Sequence, residues 1–290
     1  MTRKTVLITG TSTGIGAACV ARQAAAGWKV YAGVRRREDG DRLVEIVSGD
    51  VTPVLLDVTN HDHIDSVLSQ IRDETGALDG LVNNAGVAAG GAIELLTDEQ
   101  WRRHFDVNFF SLVRLTREAM PLVDAAGGRF VHIGSIAGRV ASAGLAPYCA
   151  GKHAVGAFSV ALRGELRTTK MNSSVVEPGE IKTAIWDKAD ALIADIDAQL
   201  RDADLLDRYQ FLLDGQRAFA AEGAARGVDA DKVAKAVEHA LTARRPKPRY
   251  LVGPDAAVVG VLSRLPDRVR EPLQRLNDVR LERAGRKLRP

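Results

Sequence analysis

The chain has 290 residues, of which 46% are apolar and 27% charged, with a formal net charge of +3. That length and apolar content suffice for a core that folds without disulfides or metals, and the small charge gives no ground for a nucleic-acid partner. No run of about 18 apolar residues occurs, so no transmembrane segment is expected.

Met1-Thr2-Arg3-Lys4 runs straight into a β-branched stretch, without the longer apolar region of a secretion signal. The only cysteines, Cys19 and Cys149, fall in helical patterns, and reduced thiols in a cytoplasmic protein are expected. Strands are predicted at 5–9, 29–34, 51–56, 80–83, 129–133, 173–177 and 250–252. Amphipathic helices are predicted at 15–26, 61–75, 98–119, 148–168 and 231–243. This alternation, with nearly continuous apolar strands, predicts an α/β fold: one doubly wound parallel sheet of about seven strands with helices on both faces. Two segments interrupt it. Residues 184–228 carry apolar residues at helical spacing, among them Trp186, Ile193, Leu200, Tyr209, Leu212 and Phe219, and are read as a helical lid or lobe. Residues 256–290 form a helical extension with an interruption at Pro266. The chain therefore divides into a domain over 1–255, with the lid inserted, and the extension.

Gly10, Ser12, Thr13, Gly14, Ile15 and Gly16 lie between the first strand and the first helix. Glycines there permit a tight turn and close backbone approach, and the helix N-terminus offers free N–H groups to a pyrophosphate. The second strand ends in Val34, where a carboxylate would bind the ribose of NAD. Arg35 follows, and its guanidinium suits the 2′-phosphate of NADP.

Tyr148 and Lys152 are four residues apart and share a helix face. A phenol titrates near pH 10, and a neighbouring ammonium favours its phenolate. Ser135, just past the fifth strand, can hydrogen-bond a reacting oxygen. A Tyr-x-x-x-Lys pair alone carries almost no information; the glycine loop and Ser135 give it weight. The histidines show no metal-ligand spacing, and no metal is predicted.

The glycine spacing, Asn83-Asn84-Ala85-Gly86, Asn108, Ser135, Tyr148-x-x-x-Lys152 and Pro178-Gly179, in this order, resemble the short-chain dehydrogenase/reductase family over about residues 4–255. The resemblance implies a Rossmann-type fold and hydride transfer between a nicotinamide and an alcohol or carbonyl carbon. It implies catalysis by Ser135, Tyr148 and Lys152, with Asn108 holding a relay water. It sets Asp57 and the Val58 backbone at the adenine, and Asn84, Ala85 and Gly86 beside the adenine ribose, with Asn83 touching the cofactor there and also tying the sheet together. Pro178, Gly179, the Ile181 backbone and Thr183 would bracket the nicotinamide carboxamide. An arginine at position 35 marks NADP preference in the family, with NAD as the alternative. Some NADP-dependent members have a basic residue where this chain has Thr13.

The stretch 147–155 is similar to the retinol and hydroxysteroid dehydrogenase branch. With the apolar lid, it points to a small lipophilic alcohol or ketone substrate. Family members pair through the helices at 98–120 and 148–168, so a homodimer or homotetramer is expected. Residues 264–290 hold nine Lys/Arg against four Asp/Glu, which reads as a solvated face or a weak peripheral membrane contact. Two other functions share part of the pattern. A nucleotide-sugar epimerase or dehydratase uses the same tyrosine–lysine pair but a larger C-terminal domain and a different glycine spacing. A non-catalytic dinucleotide-sensing regulator needs no intact Ser–Tyr–Lys set.

Overall fold

The computed structural model describes residues 3–88, 90–182 and 187–289. Seven strands form one sheet: β1 (Thr5–Thr9), β2 (Lys29–Val34), β3 (Val51–Leu55), β4 (Gly80–Asn83), β5 (Arg129–Ile133), β6 (Asn172–Pro178) and, last in the chain, β9 (Arg249–Val252). Their order is β3-β2-β1-β4-β5-β6-β9, and every neighbouring pair is parallel. A separate two-residue ladder joins β7 (Ile181–Lys182) to β8 (Val228–Asp229).

The sheet is buried on both faces, which explains its unbroken apolar strands. In β1, Val6 and Ile8 point into a core with α1 (Gly14–Ala25) and α9 (Ala230–Thr242). Leu7, between them, enters the opposite core. That core is closed by α3 (His61–Thr75), α5 (Ser111–Ala126) and α6 (Ala146–Glu165), around Tyr31, Leu81 and Phe130. Strand direction places all seven carboxyl ends along one edge. The order reverses between β1 and β4, and open α/β sheets bind ligands at the crevice such a reversal creates.

Three features depart from the sequence reading. The helix α2 (Arg37–Ile46) was not predicted: Leu43 is its only buried large apolar residue, too little for a period. The stretch 98–119 is not one helix. It consists of α4 (Asp98–Phe105), a π-helical turn Asp106–Phe110, and α5, which runs through Pro121 to Gly127 in the left-handed conformation (φ 59°). The β7–β8 ladder is too short to leave a pattern.

Within the 184–228 segment, α7 (Asp187–Asp202) and α8 (Leu206–Arg226) share a small core of Ile193, Ile196, Leu200, Leu212 and Leu213 with Ala92. After β9 come α10 (Pro254–Leu262) and α11 (Asp267–Arg286), with Pro266 at the N-cap of α11. α11 lies along α8, where Arg280 makes a two-pronged contact with Glu222 at 2.6 and 3.0 Å. No helix of the described residues is long and apolar enough to cross a membrane.

Candidate active site

The loop after β1 and the turn after β4 are built against each other. Gly10 and Gly14 have φ of 67° and 62°, a conformation that costs glycine little. A Cβ on Gly10 would come 2.8 Å from the Ala85 Cα, and one on Gly16 would strike the Gly10 carbonyl. The Thr9 hydroxyl accepts hydrogen bonds from the backbone N–H groups of Asn84 and Ala85, both at 2.9 Å. The Asn84 amide donates in return to the Thr9 and Gly10 carbonyls. Its carboxamide is thus committed to holding the glycine loop. Asn83 is turned into the sheet, with its amide on Thr116 and the His132 ring. Ser12 and Thr13 are exposed beside the start of α1, and the Thr13 side chain does not cap it. The first-turn N–H groups of α1 are therefore not consumed by that side chain, and the cradle fits a pyrophosphate.

Ser135 ends the β5 loop, and its Oγ accepts the Ala137 N–H at 3.1 Å. This leaves the hydroxyl hydrogen to donate, and a hydrogen bond links it to Tyr148. α6 starts at Ala146-Pro147, where a helix tolerates proline best. It carries Tyr148 and Lys152 toward Ser135. The buried Lys152 ammonium donates to the Ile133 carbonyl at 2.9 Å and lies 5.8 Å from the centre of the Tyr148 ring. Burial brings its pKa down to about 8. Burial pushes the Tyr148 phenol up, with the Ser135 hydrogen bond opposing. The sequence reading had the ammonium lowering the tyrosine. Here Lys152 is turned to the Ile133 carbonyl, and burial of the phenol sets the direction.

Asn108 stands in the π-helical turn, whose extra residue aims it inward. Its Oδ1 accepts from the Val87 N–H, and its Nδ2 donates to the Val87 and His104 carbonyls. A Cβ on Gly86 would come 2.8 Å from Asn108 Oδ1 and 3.8 Å from Lys152 Nζ. Gly86 is the gap that lets the two groups approach.

At the far end of the sheet Arg35 is exposed. Arg36 pairs with the buried Asp39 at 3.0 Å, and Arg42 pairs with it too. Asp57 accepts from the N–H and hydroxyl of Thr59, which outweigh its burial and hold its carboxyl below the usual range, with Arg35 adding to this. Val58 is buried beside it. Past β6, Gly179 donates to the Val252 carbonyl and Ile181 joins the β7–β8 ladder. Thr183 lies outside the described residues.

A family model described as short chain dehydrogenase matches residues 4–192. The chain belongs to the short-chain dehydrogenase/reductase family. It is 32% identical over 279 residues to an NADPH-dependent 3-dehydrocapnine reductase of Ornithobacterium rhinotracheale, covering 91% of this chain and 93% of the relative. It is 30% identical to retinol dehydrogenase 7 of Mus musculus, covering 87% and 81%. The crystal structure of a short-chain dehydrogenase from Streptomyces avermitilis superposes with a TM-score of 0.74 at 29% identity, covering 96% of this chain and 97% of that one. As a short-chain dehydrogenase/reductase, the chain is a nicotinamide-dependent oxidoreductase of alcohol and carbonyl groups.

The structure brings the loop glycines, Asn84, Ala85, Gly86, Asn108, Ser135, Tyr148 and Lys152 of this short-chain dehydrogenase to one edge. It adds two residues the sequence reading passed over. Thr9 ties the two halves of the cradle. His104 is buried edge-on to Tyr148, with ring centres 6.2 Å apart, and contacts Asn108; burial and then Lys152 bring its pKa down to about 4. The available signal was its spacing, four residues before Asn108 on one helix face. Among the described residues no three His, Cys, Asp or Glu side chains gather as a metal site would require.

Proposed function

We propose that the enzyme is NADP(H)-dependent and acts on a lipophilic alcohol or ketone, with Tyr148 exchanging the proton. The convergence of the Ser135 hydroxyl, the Tyr148 phenol and the Lys152 ammonium carries this reading. When bound, the nicotinamide supplies or accepts the hydride. Ser135, whose Oγ accepts the Ala137 N–H, turns its one hydroxyl hydrogen from Tyr148 to the reacting oxygen. Tyr148, held protonated by burial, gives that oxygen its proton in reduction and takes it back in oxidation. Lys152 and the water assigned to Asn108 return a proton to the phenolate this leaves. The remaining lone pair of Asn108 Oδ1 suits that role.

NADP preference rests on Arg35. Arg36 is committed to Asp39, whose carboxylate it also keeps from a ribose hydroxyl, while Arg35 stays exposed at the end of β2. The NADPH-dependent reductase relative supports the same choice. Glycine-loop residues Gly10 to Gly16 take the pyrophosphate, Asp57 and Val58 the adenine, and the 178–181 turn the nicotinamide.

The lipophilic substrate is supported by the retinol dehydrogenase relative and by apolar Val87, which bonds Asn108, and Leu145, at the start of the helix that carries Tyr148. The lid's apolar content supports it less than the sequence alone implied, because Ile193, Leu200, Leu212 and Leu213 fill the lobe's own core. The lid reading of 184–228 draws on Gln216, which donates to the Ala143 carbonyl, and on Leu212 against Gly144. The domain division at 255 and a cytoplasmic location, consistent with free, buried Cys19 and Cys149, belong to the same reading. Exposed Phe110 and Val160 on the outer faces beside α5 and on α6 favour pairing of two chains there. Val258, Val261 and Leu276, exposed among arginines, suit weak membrane contact. Screening NADPH and NADH against steroids, retinoids, quinones and aliphatic ketones tests the proposal; oxidation of neither cofactor with any of them, by a folded protein, refutes it.

A further inference from the structure

The turn at 178–181 is gripped from the C-terminal side by one carboxylate. Asp255, in the first turn of α10, accepts the Glu180 backbone N–H at 2.7 Å. The preceding N–H, of Gly179, donates to the Val252 carbonyl at 2.9 Å. Two successive amides of the turn are thus held by the β9–α10 junction. The carboxylate fills space that two glycines leave open. A Cβ on Gly179 would collide with it, and one on Gly253, whose φ is 117°, would lie 2.5 Å from its Oδ1. Its charge also sits favourably at the amino end of α10.

We propose that Asp255 is a positioning residue that fixes the 178–181 turn against the nicotinamide end of the cofactor. This rests on the reading of that turn as the nicotinamide bracket. Gly179 has no side chain to hold the turn by packing, so its geometry depends on what its amides bond to. Losing the carboxylate frees the Glu180 N–H and loosens the half of the cradle that meets the nicotinamide. The glycine loop, after β1, and Arg35, after β2, are untouched.

The test compares binding of NADPH with that of 2′-phospho-ADP-ribose, which lacks the nicotinamide. Asp255→Ala is expected to weaken NADPH about tenfold, the scale of one charge-assisted hydrogen bond, and to leave 2′-phospho-ADP-ribose unchanged. Asp255→Asn, which keeps an acceptor, restores most of the loss. Equal weakening of both ligands, or no change for NADPH, overturns the proposal. If Asp255→Ala does not fold, Asp255→Val, which removes the acceptor but keeps side-chain bulk, is titrated instead and must give the same split. Wild-type protein that binds 2′-phospho-ADP-ribose but gains nothing from the nicotinamide overturns the bracket reading itself, and this inference with it.

Discussion

Around β1 and β4 the joints are backbone against backbone: glycines that leave no room for a Cβ, and a threonine and an asparagine that bond only to main chain. Around α8 the joints are side-chain ion pairs. Asp214 of α8 is buried, yet takes Arg289 through both oxygens at 2.9 and 2.5 Å, with Arg217 at 3.5 Å and Arg286 at 4.0 Å. Gly285 packs directly on its backbone. Backbone joints fix a shape that a universal cofactor needs. Ion-pair joints can be exchanged by single substitutions, which suits the part of an enzyme that differs with substrate. The comparison also predicts that salt loosens the α8–α11 joint before it affects the glycine loop.

The largest expected effect is chemical. Tyr148→Phe should lower kcat by roughly 10³-fold, or ~4 kcal/mol, and leave NADPH affinity nearly unchanged. Steady-state rates and cofactor titration check both; turnover near wild type would remove Tyr148 from the mechanism. Next, Asp214→Ala leaves Arg217 and Arg289 without their carboxylate, while Arg286 keeps Glu282, and should cost about 2 kcal/mol in urea unfolding. KM for substrate should rise while NADPH affinity holds. An unchanged unfolding midpoint would mean that the α8–α11 joint does not depend on this carboxylate. Of similar size, Arg35→Asp should cost NADPH about 2 kcal/mol of binding and spare NADH. Equal losses for the two cofactors would reassign the phosphate contact.

The cofactor half was readable in the sequence because its logic is local. A glycine is required where backbone meets backbone or takes a left-handed turn, and Gly10, Gly14 and Gly16 mark those places by identity alone. Ser135, Tyr148 and Lys152 could be grouped from the sequence because two share a helix face and the third lies just past a strand. The rest depends on contacts far apart in the chain. Nothing near Asp214 announces that Arg289, 75 residues on, will bond it. The π-helical turn at Asp106–Phe110 leaves no composition signal, because one extra residue in a helix changes geometry without changing propensity. His104 looked inert because its role comes from a neighbour on another helix, Tyr148.

The smallest effect separates the halves by acid. His132, on β5, is fully buried, and burial brings its pKa down to about 3; His104 lies at about 4 for the same reason, with Lys152 adding to it. Both stay neutral in the folded protein while the unfolded chain takes up protons near pH 6.5. Their contribution is therefore complete above pH 6.5 and is lost as pH falls toward 4 and 3. His132 alone should account for about 1 kcal/mol between pH 6.5 and 5.5. In the α8–α11 joint, Arg280 holds the Glu222 carboxyl below its usual range, and at Asp214 Arg289, Gln210 and Arg217 together outweigh burial to the same end. Those groups add stability above their unfolded values of 4.5 and 3.8 and lose it only below them. Acidification should thus weaken the sheet side around β5 first and the α8–α11 joint later. His132→Asn, which keeps an acceptor for Asn83 without titrating, should flatten the dependence of the urea midpoint on pH between 6.5 and 5. A slope identical to wild type would show that the acid sensitivity comes from elsewhere, and a joint that separates first, seen by hydrogen exchange in α11, would reverse the order of the two halves.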